Sequence, residues 1–250
     1  MAIHGRRTQV LVNQYDLSIY FKNAELNGEA AVLDATTFTA AAKTFIPDFV
    51  EGGVSLSGVW SADQFEATNN PAGLDNRVDD VLQPILGVDS DQYFLIGQEG
   101  LGTFGLNTQI LAGKETKYSV QSPFNGLVSA MAEVKSDGPI QQAILLAHQV
   151  ARTATGTGTA YDGAAATAFG AKVQIHCTEA SAGDTLDVIV EDSADNVSWA
   201  TIGTFTQLTA VGHQRISIAG TIRRYVRVSW TIAGTGPSFT FVVALARNNS

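Results

Sequence analysis

Period-two alternation of apolar and polar residues recurs along most of the chain. From 16 to 21, Leu17, Ile19 and Phe21 alternate with Asp16, Ser18 and Tyr20, which predicts a strand with one apolar face. Residues 30–38 and 54–60 are further candidates, and the second sets Val54 and Leu56 against Ser55 and Ser57. The stretch 92–96 is short and apolar, and 103–111 places Phe104, Leu106 and Ile110 on one side. Ala112-Gly113 then reads as a hairpin turn into a strand over 114–122. Residues 126–134 alternate with no charge on either face until Glu133, which predicts a strand covered on both sides. A last strand of this half spans 140–147.

One segment breaks the period. Val78, Val81, Leu82, Ile85 and Leu86 fall at helical spacing and predict a helix over about 75–86. Asp75 is placed to cap it, Asp79 and Asp80 suit the positive end of its dipole, and Gly87 is a natural stop. Pro84 removes one backbone hydrogen bond and should bend the last turn.

The C-terminal third is strands throughout, over 172–177, 185–191, 198–205, 214–219, 222–232 and 238–245. Turn signals such as Ala182-Gly183-Asp184 and Gly234-Thr235-Gly236-Pro237 separate them, a pattern that describes a β-sandwich. Val226, Val228, Trp230 and Ile232 should point inward from one strand, and Phe239, Phe241, Val243 and Leu245 from the next. Between the halves, residues 151–168 are almost wholly Ala, Thr and Gly, which reads as a linker. The expectation is a mainly β protein: a domain over 1–150 with one helix, a linker over 151–168, and an all-β sandwich over 169–250.

Composition narrows the function classes. Charged residues are 16% of 250, low for a globular protein, while 45% hydrophobic residues leave ample surface for a core. No run is long and apolar enough for a transmembrane helix, and no apolar stretch follows Arg6 and Arg7 to make a secretory signal. The lone Cys177 excludes an internal disulfide or a cysteine-built zinc site. Residues 1–150 hold 17 Asp and Glu against 8 Lys and Arg, whereas 151–250 hold 7 of each. That acidity argues against an electrostatic grip on nucleic acid. It is compatible with a surface that lies near DNA without holding it, but solubility alone is the simpler reading of the charge.

No constellation recommends a reaction. Gly100, Gly102 and Gly105 fit G-x-G-x-x-G, but a strand follows where a dinucleotide site needs a helix, so a turn or bulge is expected. His4, His148, His176 and His213 lack partners at metal-ligand spacing, and neither a nucleophile elbow nor a phosphate-binding loop occurs. Glu191, Asp192 and Asp195 cluster where calcium would accept oxygens, but turn chemistry accounts for them more simply. No cofactor and no metal are expected. Two glycosylation sequons, at Asn196 and Asn248, read as coincidence. Arg223, Arg224, Tyr225 and Arg227 form a basic, partly aromatic patch, read first as a subunit contact that pairs with carboxylates and second as a ligand site.

The order of elements over residues 8–147 resembles the major tail tube protein of long-tailed, siphovirus-type bacteriophages. The resemblance rests on the run Ala41–Asp48, the Gly-introduced strand Glu51–Gly58, a loop rich in Asn, Ala and Pro, and the lone helix that follows. The segments Asp192–Trp199 and Arg223–Val228 are similar to outer sandwich domains of phage virion proteins and to discoidin-type carbohydrate-binding modules. The resemblance implies a non-enzymatic virion protein: a tube subunit in stacked, hexameric rings around an acidic channel through which DNA passes unbound. Its partners would be itself and other tail proteins (terminator, tip and tape measure), with assembly in the host bacterial cytoplasm and no membrane. Glu25, Glu29, Asp34 and Asp63 are candidates for the channel wall. The polar loop 61–73, with Asp63, Glu66, Asn69 and Asn70, is the candidate contact between rings. Trp199, Arg223, Tyr225 and Arg227 are outer-domain contact candidates. The alternatives are another virion protein, such as a capsid decoration or fibre base, or a carbohydrate-binding module; a hydrolase or other enzyme is the third.

Overall fold

The computed structural model describes residues 5–36, 42–61 and 77–248, and the side chains of 47–49 are left aside. It is mainly β. In chain order the strands are β1 (Gln9–Val12), β2 (Tyr15–Asp16), β3 (Phe21–Asp34), β4 (Phe45–Val59), β5 (Gln92–Gly97), β6 (Asn107–Gln121), β7 (Ser129–Ser136) and β8 (Gln141–Arg152). Then come β9 (Gly156–Thr157), β10 (Tyr161–Asp162), β11 (Ala171–Ala180), β12 (Thr185–Ser193), β13 (Ala200–Thr204), β14 (Gly212–Ile218), β15 (Tyr225–Ala233) and β16 (Phe239–Arg247). Helix α1 (Val78–Leu82) sits between β4 and β5 and runs into a 3-10 turn, Gln83–Ile85. It is shorter than the expected 75–86, because Pro84 cannot donate the bond that would continue an α-helix and occupies the 3-10 turn. The expected cap, Asp75, lies outside the described residues. Arg77 holds the cap position without a side-chain bond.

The chain divides into two compact units, and no boundary between them falls within 151–168. One unit is Met1–Ser18, Tyr93–Ile110 and Gln141–Ser250; the other is Ile19–Gln92 and Leu111–Ile140. The first unit contains the sandwich. One of its sheets carries β14-β11-β16-β8 and, beside β8, the first residues of β6. The other runs β10-β15-β12-β13, with β9 also on β15. β1 pairs with β2 and β5.

β16 shows why the core lies there. Phe239, Phe241, Val243 and Leu245 enter the cluster between the two sheets, with Val173 and Ile175 of β11, Val188 and Val190 of β12, and Val226 and Val228 of β15. Val242, Ala244 and Ala246 point to the other face, into a second cluster with Leu11, Leu95 and Ile110. A strand buried on both faces must be apolar at every position, and this one nearly is.

The Ala/Thr/Gly stretch is a strap on the sandwich, not a free linker. Gly158 N–H donates to Val228, Gly163 N–H to Arg224, and Trp230 Nε1 to the Ala154 carbonyl at 3.0 Å. Its residues are small because the backbone passes close to larger groups. A Cβ on Gly156 would lie 3.0 Å from the Trp230 ring, and one on Gly163 2.7 Å from the Arg247 guanidinium.

Other expectations fail locally. Residues 17–20 form a turn between β2 and β3 rather than a strand, with Leu17 buried and Ile19 exposed. Ala112-Gly113 is no hairpin: β6 runs straight through it, and Gly113 lies against β7, where a Cβ would meet the Lys135 carbonyl oxygen at 2.2 Å. The glycine serves close strand approach. β7 is covered on one face only, since Ala130, Ala132 and Val134 are buried while Met131 and Lys135 are exposed.

Candidate functional site: an assembly surface

The second unit is built on a four-stranded antiparallel sheet in the order β3-β4-β7-β6, with β6 contributing from Leu111 onward. Register decides its faces. Leu26, Val54 and Val134 lie in one row, and Ala24, Leu56, Ala132 and Tyr118 in the next, all on the same side. α1 packs on β7 and buries Val78, Val81 and Leu82. Asp79 pins the helix in place. Its Oδ1 accepts from Trp60 Nε1 at 2.9 Å and from the Tyr118 hydroxyl at 2.8 Å, while its N–H donates to Ser61 O. Burial and the bond to Asp79 push the Tyr118 hydroxyl well above its ordinary pKa.

On the opposite face the rows read Glu25, Ser55, Glu133 and Lys117, then Asn27, Gly53, Lys135 and Lys114. Glu29 and Glu51 continue it on β3 and β4. Lys117 donates to Glu133 at 2.8 Å, and Lys114 lies 3.5 Å from both Asp89 and Asp137. The face is polar and of mixed charge, with its carboxylates concentrated on β3 and β4. It brings Glu25 and Glu29 together. Asp34 instead lies far out on the β3–β4 ribbon, bonded to Thr36. Asp63, Glu66, Asn69 and Asn70 lie outside the described residues.

Among the described residues β3 is an edge: over its 14 residues it pairs with β4 alone. The distal edge of β6 is met at Glu115, whose carbonyl accepts from Gly87 N–H. Beyond Gly52, β4 has left β7, and among the described residues the ribbon is two-stranded. There Val32, Leu33, Phe45, Ile46 and Val50 are each about half exposed or more. The sequence reading missed this arm, because apolar residues at a ribbon tip look like any half-buried strand.

The Glu115 side chain is another omission. It is 1% exposed, and among the described residues neither of its oxygens has a hydrogen-bond partner. Burial pushes its carboxyl up to about 8.

In the sandwich the basic patch is already paired within the chain. Arg224 donates to Asp162, Arg227 to Glu191 at 2.8 Å, and Arg223 lies 3.6 Å from Asp192. The Arg227 guanidinium covers the Trp199 ring at 4.0 Å, and Arg224 lies over Tyr225 at 4.9 Å. One face of the Trp199 ring is thus covered from within the chain, and Arg223, Arg224 and Arg227 each have a carboxylate close by. Asp195 closes a turn by accepting from Val197 N–H and Ser198 N–H, and those bonds hold its carboxyl well below the usual range. Gly100 and Gly105 adopt positive φ in a turn that leads into β6, as expected. Among the described residues no group of three or more His, Cys, Asp or Glu could hold a metal ion, and no helix is long and apolar enough to cross a membrane.

No family model matches the chain, and no curated protein matches it. Solved structures do. A chain of a native gene transfer agent virion aligns at 14% identity and a TM-score of 0.42, over 56% of this chain and 98% of that one. A chain from the tail of an empty gene transfer agent particle, with C6 symmetry, aligns at 14% and 0.40, over 56% and 97%. The SPP1 Dit protein, described as a paradigm of the hub adsorption apparatus of phages infecting Gram-positive bacteria, aligns at 13% and 0.36, over 96% and 98%.

Proposed function

We propose that this chain is a structural, non-enzymatic subunit of a phage-type tail: one copy in a ring that stacks into a tube around a DNA channel. The observation that carries the reading is the β3-β4-β7-β6 sheet, polar on its open face and ended by the long edge of β3. A long unpaired edge recruits another strand unless something blunts it. A neighbouring copy in a ring supplies that strand. Six copies, the number the family resemblance implies, would contribute about 24 strands; at ~4.8 Å spacing and ~40° tilt the backbone ring is about 50 Å across.

The open face then lines the bore. Glu25, Glu29 and Glu51 repel phosphates, and Lys117, tied to Glu133, is not free to grip them. The bore is thus mildly rather than strongly acidic. Terminator, tip and tape-measure proteins are the partners such a tube requires, and the virion tail is its location.

Negative-stain microscopy of the full chain at rising concentration tests this. Rings or tubes of one diameter are expected. A protein that stays monomeric at high concentration, with no polymer under any trigger, sinks the reading.

A further inference from the structure

The β3-β4-β7-β6 sheet has two margins, and each has an open stretch. Among the described residues β3 pairs with β4 alone, and residues 117–121 of β6 pair with β7 alone. The β6 margin closes at Glu115, whose carbonyl accepts from Gly87 N–H. Strand direction alternates across the sheet, so β3 and β6 run oppositely. Rotation about a ring axis preserves both direction and face. β3 of one copy therefore meets β6 of the next antiparallel, with the open faces on the same side.

Closure also limits the register. Glu25, Ser55, Glu133 and Lys117 form one row across the sheet. In a barrel tilted by ~40°, each strand slides against its neighbour by about 1.2 residues, or about five over a four-stranded subunit. Matching the faces requires an even slide. A slide of four corresponds to a tilt of ~35°, whereas six needs ~46° and sets the irregularity at Ala31 against Lys117. With four, Lys117 falls opposite either Glu29 or Phe21 of the next copy. The Phe21 choice runs residues 118–121 past the start of β3 and into the turn at 17–20, so Glu29 remains.

We propose that residues 25–29 of one copy pair antiparallel with residues 117–121 of the next, with Glu29 opposite Lys117, Asn27 opposite Ser119 and Glu25 opposite Gln121. This joint rests on the ring reading and assigns the strand, direction and register that the ring leaves open. On the helix side it sets Val120, 42% exposed, beside the partly buried Leu26. It also sets Gly28, whose missing side chain leaves open space, beside Tyr118. On the open face Glu29 and Glu51 oppose each other within one copy, a destabilising like-charge pair that a lysine relieves. Lys117 also holds Glu133, so the row Glu51, Glu29, Lys117, Glu133 stays net negative. Lys22 and Lys43 lie outside the paired segment, before and beyond it. Past Glu29, β3 breaks register at Ala31, level with the point where Gly87 closes the next copy's β6.

The test is the full chain carrying Asn27→Cys and Ser119→Cys, compared with Asn23→Cys and Ser119→Cys, the pair that would meet with no slide. Directly opposed strand residues lie within disulfide reach, and residues four positions away do not. Native Cys177 is buried and stays out of the exchange. Mild oxidation of assembled rings should join the first pair into a ladder that ends at the ring number, with a 27–119 linked peptide, and leave the second pair unlinked. Gly28→Val, which has open space in its own chain, should melt no lower than the parent and raise the concentration needed for rings about tenfold or more. Rings linked through 23–119, rings linked by neither pair, or rings indifferent to Gly28→Val overturn the joint and leave the ring standing. Doubly linked closed dimers overturn its cyclic geometry. A chain that never forms rings overturns both.

Discussion

Arg224 grips Asp162 with two parallel hydrogen bonds, Nε to Oδ1 and an Nη to Oδ2, each 2.7 Å. The pair fastens the strap to the end of β15. It also holds the Asp162 carboxyl down, to about 2.

Asp162→Asn should loosen the strap rather than unfold the sandwich. Both side chains are nearly half exposed, and solvent screens an exposed pair, so it adds little to global stability. Limited proteolysis should therefore cut within 151–168 faster, with a melting shift of no more than a few degrees. Unchanged cleavage there would show that the backbone bonds alone hold the strap.

Gly113→Ala should be disproportionately costly. The added methyl meets the Lys135 carbonyl at 2.2 Å, so β6 and β7 must part, at about 1–3 kcal/mol. Gly102→Ala, with open space around it, is the control and should stay within about 0.5 kcal/mol. Equal denaturation midpoints for the two variants would contradict the close approach.

Stability should fall as pH rises toward 8. The Glu115 carboxyl titrates near 8 when folded and near 4.5 when unfolded. Between those values the folded state binds the extra proton, so its advantage shrinks with rising pH. Glu115→Gln should be more stable than the parent at pH 9, on the order of 2–3 kcal/mol, and no more stable at pH 4. Parallel pH–stability curves for the two proteins would refute a protonated Glu115.

His176 contributes to the acid limb beside His148 and His213, whose pKa values burial also lowers. Its Nδ1 donates to the Asn13 carbonyl, and full burial depresses its pKa to about 4. Below the ordinary value of 6.5 the unfolded chain takes up a proton that the folded chain refuses, so stability drops as pH falls from 6.5 toward 4. His176→Gln should flatten that limb in thermal melts; an unchanged limb would assign it to other groups.

How much of this was legible depended on where each contact lay. β11, β12, β15 and β16 alternate large apolar residues over nearly their whole length, which makes them legible as strands, although they pair with partners tens of residues away. β3 and β4 are rich in Ala, Gly, Asn and Ser, so their periodicity is faint. The two-unit division was hidden, because β1, β5 and β8 come from distant parts of the chain. The strap was misread because small residues signal either freedom or close packing. Of the candidate residues, Glu25 and Glu29 share one open face, whereas the apolar arm and the buried Glu115 left no distinguishing pattern.

The chain by itself determined a mainly β protein with one helix and an apolar sandwich, since alternation and residue type are local properties. The tertiary structure decided which strand margins stay unpaired, which glycines are pressed against a neighbour, and which apolar side chains remain in water. Those depend on pairings between residues tens of positions apart, whose register no local pattern records.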